Sequence, residues 1–384
     1  MMEKYDVEAL VSTTPENTLY VSDFQSLSQW ALRGVSVFTV LPRDAEPAIV
    51  APISDLDLYA DEPSWIKDIR CYGTFYIELP EIQKLMESEE RLANLLKGVK
   101  PDETAINGLV KVLKDRGLEN KTIAVDEAGI TCLMWNELEN KLPKAQIRAG
   151  ASIFKEIRMV KTVEEIDKLK KAAEISEKAL DVALQAVKEG VSETELAREF
   201  EVTVVKERAV PFITVFGCGS RSAFPNAMPS NYKLKRGDIV RFDGGCVYRN
   251  YCSDIAISAI FGQPSEKHKK YYTAILRGTT EAINNIKPGV KACDLFSIAL
   301  ETTRKTGIPH YRRHHCGHGI GIEVYDMPMV RPADSTPLEA GMVLNIETPY
   351  YELGFGGLQV EETVVVTDKG CEYLTTPIEE LLVI

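Results

Sequence analysis

The sequence predicts an α/β domain over residues 1–155, followed by an α+β domain over residues 156–384 that carries a pseudo-two-fold repeat. Three observations lead there. A chain of 384 residues is long enough for two domains. Short apolar runs suited to buried strands alternate with helical patterns through the first part. In the second part a helix–glycine–helix pattern around Gly190 returns around Gly289, and an acidic strand hairpin follows each copy.

Composition narrows the classes of function. A formal net charge of −12 speaks against nucleic acid and anionic membrane as main partners. No apolar run reaches the roughly 18 residues of a membrane span. The opening MMEKYDVEAL is too polar for a secretory signal. Eight scattered cysteines without a CxxC pair read as reduced thiols of a cytoplasmic protein, and Cys246, Cys252 and Cys316 as small core filler.

The first domain is taken in order. Val7–Ser12 reads as a strand, Thr14-Pro15-Glu16-Asn17 as a turn, and Ser36–Leu41 and Pro47–Ala51 as further buried strands. Helical patterns cover Ile82–Leu96 and Ile130–Lys141. This part has no histidine and no metal-ligand or nucleophile spacing, so it reads as a support or cap domain.

The boundary lies near Phe154–Lys161. Thr162 and Glu165 form a capping box that opens a long helix, which Gly190 closes. Ser192 and Glu195 open the next helix in the same way. The repeat pairs Val187-Lys188-Glu189-Gly190-Val191 with Ile286-Lys287-Pro288-Gly289-Val290.

The first acidic hairpin spans Arg241–Phe261. Asp243 and Asp254 are equidistant from a polar run at Tyr248–Asn250, with β-formers on both sides, so the pattern predicts that they face one another. Like charges placed opposite are destabilising, so the pair must share either a proton or a cation. The second hairpin sets Glu347 against Glu361, equidistant from Gly354. Between the hairpins, four of the five histidines fall from His310 to His318, and His318 sits in the glycine-rich stretch Cys316–Gly321. Four carboxylates and one imidazole suit two adjacent divalent cations, of the Mn, Co, Zn or Fe type rather than a thiolate site.

These residues resemble the pita-bread metallopeptidases: methionine aminopeptidase, aminopeptidase P and prolidase, with creatinase as a relative. Ala9–Ser12 with Asn17–Tyr20 is similar to the creatinase-type N-terminal domain, and Ile157–Ile166 to the entry into the catalytic domain. The resemblance implies the pita-bread fold for residues 156–384. It implies that Asp243 binds one metal, that His318 and Glu347 bind the other, and that Asp254 and Glu361 bridge. A water or hydroxide between the metals would be the nucleophile, and Glu347 would shuttle the proton. His314 fits a position that some relatives keep as histidine.

Departures from the family pattern fall in the substrate pocket. Asn226 and Tyr325 stand where the family's peptidases usually place histidines. Gln359 stands where an arginine is common, and Met329 lies near a usual carboxylate-holding arginine. Neither Asn nor Tyr can become a cation near neutral pH. The reading is therefore an Xaa-Pro dipeptidase or aminopeptidase-like hydrolase. The alternative is a metal-dependent hydrolase or lyase of a small non-peptide metabolite, and a non-catalytic binding module ranks last because all five ligands are kept. The partners expected are a small peptide or small molecule, no nucleic acid and no membrane, and the resemblance implies a homodimer.

Overall fold

The computed structural model describes residues 1–79 and 84–384, in two compact units that divide at 157/158. The first unit is a mixed six-stranded sheet. Its strands are β1 (Ala9–Ser12), β2 (Phe38–Pro42), β3 (Ala48–Pro52), β4 (Asp68–Tyr72), β5 (Thr122–Val125) and β6 (Gln146–Ala149), in the order β4-β3-β2-β1-β5-β6. Strands β1, β2 and β3 match the apolar runs read from sequence and are nearly all buried. The Thr14–Asn17 turn is instead a helix start. The Thr14 hydroxyl caps Asn17 N–H and Pro15 takes the first helical position, where its missing N–H has no bond to lose. Helices Glu87–Gly98 and Cys132–Lys141 fall on the two helical patterns, with Ile82 and Gln83 of the first outside the described residues.

The second unit is one large sheet under two pairs of helices. Helices Val163–Gln185 and Glu193–Lys206 open on the two capping boxes. The strands that follow are β7 (Val210–Cys218), β8 (Ile239–Tyr248), β9 (Tyr251–Cys252) and β10 (Ile255–Ile260). Helices Glu266–Asn284 and Ala292–Thr306 open the second half. Then come β11 (Gly317–Gly319), β12 (Asp326–Met329), β13 (Val343–Glu347), β14 (Tyr350–Glu352), β15 (Gly356–Leu358), β16 (Glu361–Val366), β17 (Cys371–Tyr373) and β18 (Leu382–Val383).

The main path through this sheet runs β12-β11-β13-β16-β10-β8-β7. It is nearly a palindrome about the β16–β10 junction, where the two halves meet as an antiparallel pair. The joints repeat bond for bond. Gly190 N–H donates to Leu234 C=O and Leu234 N–H to Val191 C=O; Gly289 N–H donates to Leu338 C=O and Leu338 N–H to Val290 C=O. The long helix, however, stops at Gln185 rather than next to Gly190. Gly190, at φ 82°, spends its N–H on Leu234, so residues 186–191 form a turn that pairs with the sheet entry.

Strand periodicity then separates core from site. Val240, Phe242, Leu344, Ile346, Val364 and Val366 enter the cores under the helices, where Phe242 packs between Phe200 and Phe216 with ring centroids 4.7 and 4.9 Å away. The intervening positions Arg241, Asp243, Asn345, Glu347, Glu361 and Thr363 point to the other face.

Candidate metal centre

Four strands bring one residue each into a single row. Asp243 on β8 pairs with Ala256 on β10, Ala256 also pairs with Glu361 on β16, and Glu361 pairs with Glu347 on β13. The direct opposition of Glu347 and Glu361 matches the sequence reading. The opposition of Asp243 and Asp254 does not: Asp254 lies two residues before Asp243's partner. The reason is the turn. Arg249 and Asn250 are both left-handed (φ 46° and 70°), which makes a two-residue hairpin with Tyr248 opposite Tyr251. A shift of two residues keeps the side chain on the same face, so Asp254 still joins the site.

Two glycines allow the backbone to approach there. A side chain on Gly245 would place its Cβ 1.9 Å from Ser253 C=O, and one on Gly317 would meet Asn345 C=O at 2.1 Å. The first lets the chain at Ser253–Asp254 fold in over β8. The second seats β11 against β13, which sets His318 opposite Asn345.

Asp254, His318 and Glu361 offer ligand atoms within 4.8 Å of one another, all three residues buried. His318 Nδ1 lies 2.9 Å from its neighbour's Gly319 C=O and therefore carries the proton. Its Nε2 lone pair points at Asp254 (3.7 Å) and Glu361 (3.9 Å) and has no hydrogen bond among the described residues. Asn345 Nδ2 donates to both Glu361 Oε1 and Asp254 C=O, at 3.0 and 2.9 Å, and orients the pair.

Burial, with Asp243 and Glu347 nearby, pushes the Asp254 carboxyl well above the usual carboxylate range. Glu361 is raised for the same reason, by burial first and then by the like charge of Asp254. Asp243 is raised by burial despite the Arg241 guanidinium 3.2 Å away. Glu347 goes the other way: burial pushes it up, but His315 and Arg313 outweigh that and hold it below its usual range. An orphaned imidazole nitrogen facing carboxyls that cannot all ionise together is a donor set that fits divalent cations.

The remaining predicted residues are placed less uniformly. Tyr325 stacks on His318, centroids 3.9 Å apart at 19°, and stays 47% exposed. Asn226 is exposed in a loop whose preceding carbonyls, Phe224 and Pro225, both accept from Arg241 Nη2. His314 is exposed, and its ring meets that of His315 edge to face at 4.3 Å. It is His315 that reaches Glu347, with Nδ1 3.0 Å from Oε1, close in distance but without hydrogen-bond alignment. Of the two adjacent histidines, His315 is buried beside Glu347 and His314 is exposed. Cys246, Cys252 and Cys316 are buried free thiols, and burial pushes Cys316 up to about 12.

Three residues had not been singled out. Arg241, fully buried, donates to Gln359 Oε1 (2.8 Å), Asp243 and Ser222 C=O. Arg313 donates to Glu347 Oε1 at 3.4 Å. Asn345 braces Glu361. The signal available was Arg241 itself, a charge flanked by the apolar core residues Val240 and Phe242.

Residues 167–368 match the model of metallopeptidase family M24, and residues 1–160 match the creatinase/prolidase N-terminal domain. The chain belongs to metallopeptidase family M24, and it is a divalent-metal peptidase with a creatinase-type N-terminal domain and a pita-bread catalytic domain. The Xaa-Pro dipeptidase of Pyrococcus furiosus is 33% identical over 315 residues, which cover 81% of this chain and 86% of that one. The prolidase structure from Pyrococcus horikoshii OT3 superposes with a TM-score of 0.81 at 26% identity, covering 99% of this chain and 97% of that one. The X-Pro aminopeptidase from Thermotoga maritima MSB8 gives 0.80 at 26% identity, covering 100% and 97%. Among the described residues no helix is long and apolar enough to cross a membrane.

Proposed function

We propose that this chain is an Xaa-Pro dipeptidase or aminopeptidase that holds two divalent cations, of the Mn, Co, Zn or Fe type, between Asp243, Asp254, His318, Glu347 and Glu361. The observation that carries the reading is the row Asp243–Ala256–Glu361–Glu347 with the unpartnered His318 Nε2 beside it. The likeness to an Xaa-Pro dipeptidase over most of both chains supports the substrate class.

Bound there, the cations would polarise the scissile carbonyl and lower the pKa of water toward neutrality. The protein's own part is positioning and proton handling. Asn345 and the Gly319 carbonyl fix Glu361 and His318 in orientation. Glu347 Oε1, kept ionised by His315 and Arg313, accepts a proton and returns it to the leaving nitrogen. Tyr325 covers His318 on the open side and keeps its hydroxyl protonated, because burial and the nearby Glu347 raise it far above neutrality. Asn226 offers an amide donor from the loop that Arg241 holds.

A second reading is a hydrolase or lyase of a small non-peptide metabolite, favoured by Asn226, Tyr325 and Gln359. The two are separated by assaying the metal-loaded chain on a panel of Xaa-Pro dipeptides and tripeptides. The peptidase reading expects turnover well above that of metal-free protein, and equal rates reject it. If Asn226→His with Tyr325→His creates an activity the native chain lacks, the native pocket serves the second reading.

A further inference from the structure

The chain between β7 and β8 forms a loop, 219–230, that carries Asn226. Both ends of this loop are tied to one side chain. Glu193, the first residue of the helix Glu193–Lys206, is fully buried. Its Oε1 accepts from Cys218 N–H at 2.8 Å, and its Oε2 accepts from Ser230 N–H and the Ser230 hydroxyl at 2.9 and 2.7 Å. Arg221 Nε donates to both oxygens, at 3.1 and 3.0 Å. Backbone bonds run beside this knot: Glu193 N–H donates to Tyr232 C=O, and Thr194 N–H to Ser230 C=O. A buried carboxylate has to be hydrogen-bonded, and this one is satisfied by the loop and its neck.

The loop is braced twice more. Arg221 Nη2 crosses it to Met228 C=O at 2.8 Å. Arg241 holds it from the side of the metal centre: Nε donates to Ser222 C=O and Nη2 to the Phe224 and Pro225 carbonyls, while Nη1 reaches Asp243 and Gln359. Ends that meet and an interior bonded to itself make an Ω-loop. What it presents outward is Phe224, 46% exposed, Met228, 70% exposed, and the exposed Asn226. A loop that commits a buried carboxylate and two guanidinium groups to an exposed tip is ordered for contact rather than for core packing.

We infer that Glu193 is a positioning residue. By closing the neck of loop 219–230 it fixes Asn226 beside the metal centre, through the guanidinium that the loop shares with Asp243. The inference rests on the reading above in which Asn226 offers its amide to the substrate. Arg221 is the strut between neck and tip. Glu193→Gln keeps the size of the side chain and can still accept from one end of the loop, but its amide nitrogen cannot accept from the other, so the neck opens on one side. A tip displaced by about 1 Å weakens a substrate contact, whereas the metal ligands on their strands stay in place.

The test is a double-mutant cycle on the metal-loaded full chain, Glu193→Gln with Asn226→Ala, and Ser230→Ala as a milder cut at the neck. Metal content and thermal unfolding are checked in each. Steady-state rates on Xaa-Pro dipeptides give KM and kcat, and amide hydrogen exchange compares residues 219–230 with β8 and β10. The inference expects Asn226→Ala and Glu193→Gln each to raise KM about five- to tenfold, and Ser230→Ala about two- to threefold. The double variant should lie within about twofold of Asn226→Ala alone. Damage to the fold alone would lower the active fraction, and with it the apparent kcat, and leave KM where it was. Effects on KM that multiply, a KM unmoved by Asn226→Ala, or a KM unchanged in folded, metal-replete Glu193→Gln each overturn the inference. If Glu193→Gln does not fold, Ser230→Ala takes its place in the cycle under the same criteria. If the wild type cleaves no Xaa-Pro dipeptide, the peptidase reading fails and exchange decides. Amides of Phe224, Ala227 and Met228 that exchange at least about tenfold faster in the neck variant, with β8 and β10 unchanged, support the positioning role, and unchanged rates at the tip overturn it.

Discussion

Asp243 and Glu361 share one cross-strand neighbour, Ala256, the Cα partner of both. The smallest chiral side chain thus stands between two acids in the row, fully buried, and leaves the space over β10 to Asp254. Ala256→Leu should fill that space. We expect an overpacking cost of about 1–3 kcal/mol and a loss of most bound metal from protein that still folds. Metal analysis alongside urea unfolding checks this; full metal content in the folded variant would show that the row is not the site.

Arg241 carries a second prediction. Its guanidinium holds Gln359, Asp243 and the carbonyls of Ser222, Phe224 and Pro225. The resemblance leads one to expect an arginine at Gln359, and here the cation reaches that place from β8 instead. Arg241→Met would leave Asp243 without its buried partner and strand several acceptors. The expected cost is about 3–5 kcal/mol in chemical denaturation, with Gln359→Arg as partial rescue. A change below about 1 kcal/mol would contradict the account.

Glu347 carries a third. Glu347→Gln keeps the shape but cannot take a proton, so turnover of whatever peptide the metal-loaded chain cleaves should fall by about 10²–10⁴-fold. KM should move by only a few-fold. Steady-state kinetics read both, and a mutant that retains most of its kcat would remove Glu347 from the role of proton carrier.

Much of the architecture was legible because it rests on periodicity and caps. Thr162, Ser192, Gly190 and Gly289 speak through local chemistry, and the strand alternation put Asp243, Glu347 and Glu361 on the face away from the helices. The register of the first hairpin was not legible. Two residues, Arg249 and Asn250, adopt left-handed conformations that nothing in their types demands, and the pairing moved by two. The longer second loop kept its symmetry because β14 and β15 continue the same register through Tyr350 and Leu358. His315 and Arg313 were missed for a different reason. Which of two adjacent histidines turns inward is decided by how the chain enters β11, and a guanidinium's choice of partner is a tertiary matter.

The most direct test of the central claim is the metal content of the purified chain after reloading with Mn, Co, Zn or Fe. The five-residue centre predicts about two divalent ions per chain, and loss of most of them in Asp254→Ala, since Asp254 stands beside both His318 and Glu361. Asp254→Ala protein that is folded and binds as much metal as the wild type would contradict the assignment.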